Sequence, residues 1–227
     1  MVKKRSTAEK TMLESATNPD YAGLIEDYAE FGIEQLADND IVDGIPVVRT
    51  IVAMGKGYVN IRDRLFLKKV AQFLKAANKI TPKEREEWYV RLAKDGPEKE
   101  QEIADKIWMM IDATNNSYKA AVHGKILRAY VKGLIQQEEH FYYLMEMVDS
   151  APTNIIRALE TGRKMNPDAY YRIGIMESPV PTMSEMEEYQ DRQGRLARVG
   201  MAAPAFLKNY QYTAAGNMLI KILRDYE

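Results

Sequence analysis

The chain has 227 residues, of which 46% are hydrophobic, and this composition supports a buried core and excludes an intrinsically disordered protein. Thirty-two basic and thirty-three acidic residues leave a net charge of −1, so the chain as a whole has no electrostatic attraction to nucleic acid or to anionic membranes. It contains no cysteine, which excludes disulfides, thiolate catalysis and cysteine-ligated metals. The polar N-terminus MVKKRSTAEK lacks the apolar run of a signal peptide, and we expect a cytoplasmic protein.

Apolar residues at helical spacing predict three helices in the first third of the chain. Residues 1–19 show no sustained period and are expected to form a mobile N-terminal arm. The first helix is expected from Asp20 onward, and the second begins at Pro46, a favourable first helical position. The third covers residues 61–78, and its apolar face comprises Leu65, Phe66, Val70, Phe73 and Leu74.

The middle of the chain has the clearest helix signals. The tetrapeptide Thr81-Pro82-Lys83-Glu84 combines a capping threonine, a proline at the first helical position and a glutamate at the third, which is the capping-box arrangement. It predicts a helix that ends near Ala93. Because short connections join antiparallel neighbours, residues 20–150 are predicted to form a multi-helix bundle. Its remaining helices are predicted over residues 97–113, 117–132 and 137–149.

The chain changes character after residue 150, where prolines become frequent and helical periodicity weakens. We therefore predict a separate tail over residues 151–227. Within it, a polar helix is expected from Ser184 toward Met201, and the alternating stretch 210–212 is a short strand candidate. Thr213 is a candidate cap for a last helix.

Acidic and basic residues are concentrated in different parts of the sequence. Residues 11–45 contain nine acidic residues and no lysine or arginine, whereas residues 46–94 contain twelve basic and four acidic residues. One interpretation is that the acidic helix packs along the basic helices and neutralises them. Another is an exposed basic strip that meets phosphates or an acidic protein. The residues of this strip are Arg62, Arg64, Lys68, Lys69 and Lys75.

A third interpretation joins the apolar helix after Pro46 to this basic strip. An apolar face followed by a cationic helix suits the surface of an anionic bilayer, although residues 45–54 are too few to span one. The membrane-facing residues would be Val47, Val48, Ile51 and Val52. The alternative is a helix of the bundle core, since amphipathic helices more often face a core.

No arrangement of residues in the sequence predicts catalysis, a metal or a cofactor. The chain has only two histidines, and Glu138-Glu139-His140 places three candidate ligands at consecutive positions that point around a helix. Glu26, Glu30 and Glu34 share one helical face but have no supporting histidine, and they are expected to be solvated or to form salt bridges. Gly55-Lys56-Gly57 lacks the spacing of a phosphate-binding loop.

Two stretches of the sequence resemble a known group of proteins. The segments IPVVRTIV at 45–52 and IRDRLFLKK at 61–69, followed by Phe73-Leu74, are similar to helical bacterial proteins related to the abortive-infection alpha type. The ending, with RVGM at 198–201 and YQYTAAG at 210–216, resembles a winged-helix-like unit of a helix, a short strand and a threonine-capped helix. The resemblance implies a bacterial setting, a role in phage defence or its regulation, and a small α+β tail.

These observations together favour a mainly α-helical, non-enzymatic protein-interaction module with an unidentified protein partner. A membrane-surface effector, peripheral at the inner membrane, is one alternative. A nucleic-acid-binding protein that uses the same basic strip is another. The acidic first turns of the predicted helix 184–201 would repel DNA phosphates, which favours protein contact over DNA recognition. Formation of a homo-oligomer is compatible with each of these functions.

Overall fold

The computed structural model describes residues 2–30, 44–54, 61–96, 98–177 and 211–225. Within these residues the fold is mainly α-helical, as predicted, with one two-stranded antiparallel sheet. The helices are α1 (Val2–Thr17), α2 (Ala22–Glu30), α3 (Pro46–Met54), α4 (Ile61–Ala77), α5 (Pro82–Lys94), α6 (Lys99–Ala113), α7 (Ser117–Val131), α8 (Glu138–Ser150), α9 (Thr153–Thr161), α10 (Pro167–Tyr171) and α11 (Ala214–Asp225). The strands are β1 (Met176–Glu177) and β2 (Gln211–Tyr212).

The N-terminal segment corrects the prediction of a mobile arm. Residues 2–17 form α1, which packs against α3 and α6. Ala8, Met12, Leu13 and Ala16 are fully buried, at a spacing that puts them on one side of the helix. Two of these four are alanines, whose small side chains add little to an apolar pattern in the sequence. Asn18 does act as a cap, but for the short 3-10 turn Pro19–Tyr21.

Helices α4 and α7 form the most extensive helix pair of the fold. They approach closely because Gly124 of α7 has no side chain. A Cβ atom at this position would lie 2.3 Å from the carbonyl oxygen of Phe73 and 2.9 Å from the Cβ of Ala76. Around the pair lies the core, whose largest fully buried side chains include Phe73, Trp88, Phe141, Ile103 and Ile107.

Helix α3 places its apolar face in this core. Val47 and Val48 are fully buried, Ile51 is nearly so, and Val52 is half-buried against the core. This corrects the expectation of a membrane-facing side, because these side chains pack inside the protein against α1 and neighbouring helices. Arg49 on the other side of α3 is exposed. This segment is therefore a helix of the bundle core, which was the alternative expectation.

The capping box at the start of α5 is confirmed. The Thr81 hydroxyl accepts a hydrogen bond from the backbone N–H of Glu84, and the Glu84 carboxylate accepts one from the backbone N–H of Thr81 at 2.8 Å. Lys132, just after α7, forms a salt bridge of 3.3 Å with the same carboxylate. The cap therefore also connects α5 to the end of α7.

We expect Thr81→Ala to lower the free energy of unfolding by about 1 kcal/mol, because the variant leaves the Glu84 N–H without its acceptor. Chemical denaturation followed by circular dichroism measures this change. Thr161→Ala is the matched control, since Thr161 is exposed in the last turn of α9 and its hydroxyl donates a hydrogen bond to the carbonyl of Arg157 in the same helix. Equal stability of the two variants would show that the cap contributes nothing.

The described parts of the tail, residues 151–177 and 211–225, pack against one another, and α11 also packs on α7 of the bundle. Strand β2 pairs with β1, with Tyr212 opposite Met176, and Thr213 caps α11 as predicted by accepting a hydrogen bond from the N–H of Gly216. Helix α11 packs on α7 and α9, where Arg224 donates a hydrogen bond of 2.8 Å to the carbonyl of Leu159. The predicted helix 184–201 lies outside the described residues.

Candidate functional site

The structure divides the predicted basic strip on α4 into two groups. Arg62 and Lys68 are exposed, whereas Arg64, Lys69 and Lys75 are half-buried and have contacts with other residues. Only the first group is therefore fully presented to a partner.

Lys69 has a structural task that the sequence did not reveal. Its ammonium group donates hydrogen bonds to the carbonyl oxygens of Asp112 at 2.7 Å and Thr114 at 3.0 Å, and so caps the C-terminal end of α6. Partial burial lowers the pKa of Lys69, and the nearby carboxylates of Asp112 and Asp149 oppose this shift. Because these contacts use its charge inside the fold, Lys69 is poorly placed to bind an external phosphate.

Large apolar side chains are exposed beside the presented cations. Leu65 of α4 is 52% exposed and Met109 of α6 is 66% exposed. Leu65 lies one turn before Lys69 on α4, and Met109 lies one turn before Asp112 on α6, the residue whose backbone carbonyl Lys69 contacts. We call Arg62, Leu65, Lys68 and Met109 the α4–α6 surface.

The backbone beneath this surface is held by aromatic packing. The rings of Phe66 and Trp108 meet edge to face with centroids 5.1 Å apart, and Trp108 is almost completely buried. The Lys69 ammonium lies 5.4 Å from the centroid of the Phe66 ring. Helices α4 and α6 thus present the α4–α6 surface on a fixed scaffold.

The acidic helix α2 lies beside the basic helix α4, which is the packing that one interpretation of the charge pattern expected, while neutralisation of the basic side chains stays a prediction. The side-chain contacts between them include uncharged hydrogen bonds. The hydroxyl of Tyr28 donates to the carbonyl of Leu67, and the amide of Gln72 donates to the carbonyl of Ala29. Burial strongly raises the pKa of Tyr28 above its usual value, because the charged phenolate would lose its hydration. The acidic side chains of Glu26 and Asp27 are exposed.

A buried polar cluster joins the ends of α6, α7 and α8. His123 is fully buried, and its Nε2 lies 3.1 Å from Oδ1 of Asp149, which also accepts a hydrogen bond of 2.9 Å from the hydroxyl of Thr114. The other ring nitrogen of His123 lies 3.1 Å from the sulfur of Met145. Lys119 donates a 2.6 Å hydrogen bond to the carbonyl of Asp149, at the end of α8.

This cluster was not predicted from the sequence. Its contacts join residues that are 22 to 35 positions apart along the chain, and no motif marks them. Since His123 has no exposed surface, it is badly placed to exchange a proton with a substrate. The arrangement instead satisfies buried polar groups and helix ends, which is a structural role.

The structure places the candidate metal ligands Glu138, Glu139 and His140 in different surroundings. Glu138 forms a 2.6 Å salt bridge with Lys99, while Glu139 and His140 are exposed. In the described residues, no group of three or more histidine, aspartate and glutamate side chains is arranged to hold a metal ion. Gly55-Lys56-Gly57, Glu34 and the side chain of Glu30 lie outside the part that the structure describes.

Comparison with protein-family models, with curated proteins and with solved structures gives no match to this chain. Among the described helices, none combines the length and the apolar character needed to cross a bilayer. The α4–α6 surface is therefore interpreted from its own chemistry.

Proposed function

We propose that this chain is a non-enzymatic protein-interaction module that binds an acidic protein partner through the α4–α6 surface. The proposal rests on the exposure of two large apolar side chains, Leu65 and Met109, and of two cations, Arg62 and Lys68, on the packed helices α4 and α6. Methionine and arginine are enriched in protein interfaces, and burial of the apolar side chains would supply binding energy. The cations would select a partner with carboxylates at matching positions.

The same surface is less suited to the two alternative partners. Binding of single-stranded nucleic acid uses aromatic rings that stack on bases, and Leu65 and Met109 are not aromatic. Binding to a bilayer was expected to use Val47, Val48 and Ile51, which are buried. Both alternatives would then depend on the exposed cations alone.

The setting we propose is bacterial phage defence or its regulation, in the cytoplasm. Support comes from the resemblance of segments 45–52 and 61–69 to the abortive-infection alpha type. The tail would be a small winged-helix-like unit, and the pairing of β1 with β2 ahead of the threonine-capped α11 fits this proposal. In this arrangement the tail would serve protein contact, in agreement with the acidic residues at the start of the sequence 184–201.

The test compares proteins that are captured by tagged variants from cells of the native host. We expect the double variant Arg62→Glu/Lys68→Glu to recover at least one specific partner about tenfold less than the unmodified chain, because two attractive contacts become repulsive. The matched control is Arg163→Glu/Lys164→Glu, which changes the charge equally at two exposed residues between α9 and α10. Quantitative mass spectrometry measures the recovery.

Three outcomes would contradict the proposal. One is that the unmodified chain and both double variants recover the same proteins in equal amounts. The second is a shift of duplex DNA or RNA that depends on Arg62 and Lys68 and weakens steeply with salt, which would favour nucleic-acid binding. The third is flotation with anionic liposomes at low salt that the reversal of Arg62 and Lys68 abolishes, which would favour a membrane-surface effector.

A further inference from the structure

A groove with a volume of about 500 Å³ lies between α8 and the start of α11, on the connection that follows α7. This volume falls in the range of about 300–1,000 Å³ that is typical of small-molecule sites. The lining includes Leu134, Ile135, Leu144 and Met218, which supply an apolar floor. Gln136, Gln137, His140 and Tyr143 supply polar atoms at its edge.

The walls of the groove are fixed by contacts within the fold. Thr213 donates a hydrogen bond of 2.9 Å to the carbonyl of Gly174 while it caps α11, so the start of that helix is anchored. On the opposite wall, the salt bridge between Glu138 and Lys99 holds the start of α8. Gly133, with a φ of 76°, turns the connection at the end of α7. The groove is therefore formed before any ligand binds.

The lining determines which ligand chemistry fits. Among the residues that the structure describes, the lining includes no lysine, arginine, aspartate or glutamate, so neither an anion nor a cation would find an opposite charge there to offset the loss of its hydration. The side chain of Tyr143 is 49% exposed and offers an aromatic ring to a planar group. Gln137 precedes α8 without using its side chain as a cap, so its amide is available for a hydrogen bond.

We infer that this groove binds a small uncharged molecule with a planar apolar body and one or two hydrogen-bonding atoms. The body lies on Leu144 and Met218 beside the ring of Tyr143, and its polar atom meets Gln137 or His140. The site shares no residue with the α4–α6 surface, so the two proposals stand or fall separately.

The experiment measures binding of three matched probes to the full chain by protein-detected NMR at about pH 7. The probes are 2-naphthol, 2-naphthoate and 2-naphthylmethylammonium, which share a ring system and differ in charge. We expect 2-naphthol to bind with a Kd of about 1 mM or lower. The two charged probes are expected to bind at least about fivefold more weakly.

Variants locate the binding in the groove. Ala215→Leu places a larger side chain in the lining and is expected to weaken binding of 2-naphthol about tenfold, whereas Ala93→Leu, at an exposed position on α5, leaves the Kd unchanged. Tyr143→Ala is a second variant at a partly exposed residue, should Ala215→Leu fail to fold. Lack of saturable 2-naphthol binding overturns the inference, as does binding that both groove variants leave intact or equal affinity for the charged probes.

Discussion

Gly124→Ala is expected to lower the free energy of unfolding by about 3 kcal/mol. The added methyl group would lie 2.3 Å from the carbonyl oxygen of Phe73 and 3.0 Å from the backbone nitrogen of Ala77. Neither backbone atom can move without separating α4 from α7, the most extensive helix pair of the fold. This cost exceeds the gain of about 1 kcal/mol that alanine offers over glycine inside a helix. For a chain of this size it corresponds to a fall in Tm of roughly 6–12 °C.

The control for this substitution is Gly23→Ala. A Cβ atom at Gly23 in α2 would have no neighbouring atom within 4 Å, so the helix should gain up to about 1 kcal/mol. Urea denaturation of both variants gives the comparison. If Gly124→Ala is as stable as the unmodified chain, the close approach of α4 and α7 is incorrect.

Asp149→Ala is expected to cost about 2 kcal/mol, the second largest effect. The substitution removes the carboxylate that the fully buried His123 contacts at 3.1 Å, while the hydroxyl of Thr114 keeps the carbonyl of Met110 as a second acceptor at 2.8 Å. A buried polar group that loses its partner retains the cost of leaving water. Glu146→Ala, on the same helix, is the matched control, because Glu146 is exposed and its salt bridge with Lys106 is a long one of 3.6 Å. The control should change stability by less than about 0.5 kcal/mol. Equal costs for the two variants would contradict a structural role for the cluster.

The contribution of Asp149 should also depend on pH. Partial burial alone would raise the pKa of Asp149, but hydrogen bonds from His123 and Thr114 and the nearby charges of His123 and Lys119 lower it below its usual value. Since the pKa is lower in the folded chain than in the unfolded chain, the carboxylate stabilises the fold fully above about pH 4. This stabilisation is lost as the pH falls through the folded-state pKa.

The difference in unfolding free energy between the unmodified chain and Asp149→Asn should therefore shrink on acidification, as denaturation at a series of pH values would show. A difference that stays constant below about pH 4 would contradict this assignment.

The α4–α6 surface shows which parts of the candidate site could be predicted from the sequence. The sequence identified the cations of α4, but it could not separate Arg62 and Lys68 from Lys69, because Lys69 finds its carbonyl partners 43 and 45 residues further along the chain. The exposure of Leu65 was also unexpected, since its spacing matched the apolar face of the helix. Helical periodicity predicts which residues lie on one side, but the neighbouring helices decide how much of that side is covered.

The sequence by itself determined the local features of this protein. Repeated apolar spacing and cap residues such as Thr81 and Thr213 predicted helices α4 to α8 and the start of α11, because these signals act within one or two turns of the chain. The tertiary structure alone decided the burial of α1 and α3, the capping role of Lys69 and the His123–Asp149 cluster. These features depend on contacts between segments that are far apart in sequence. A local sequence pattern does not show which distant segments pack together.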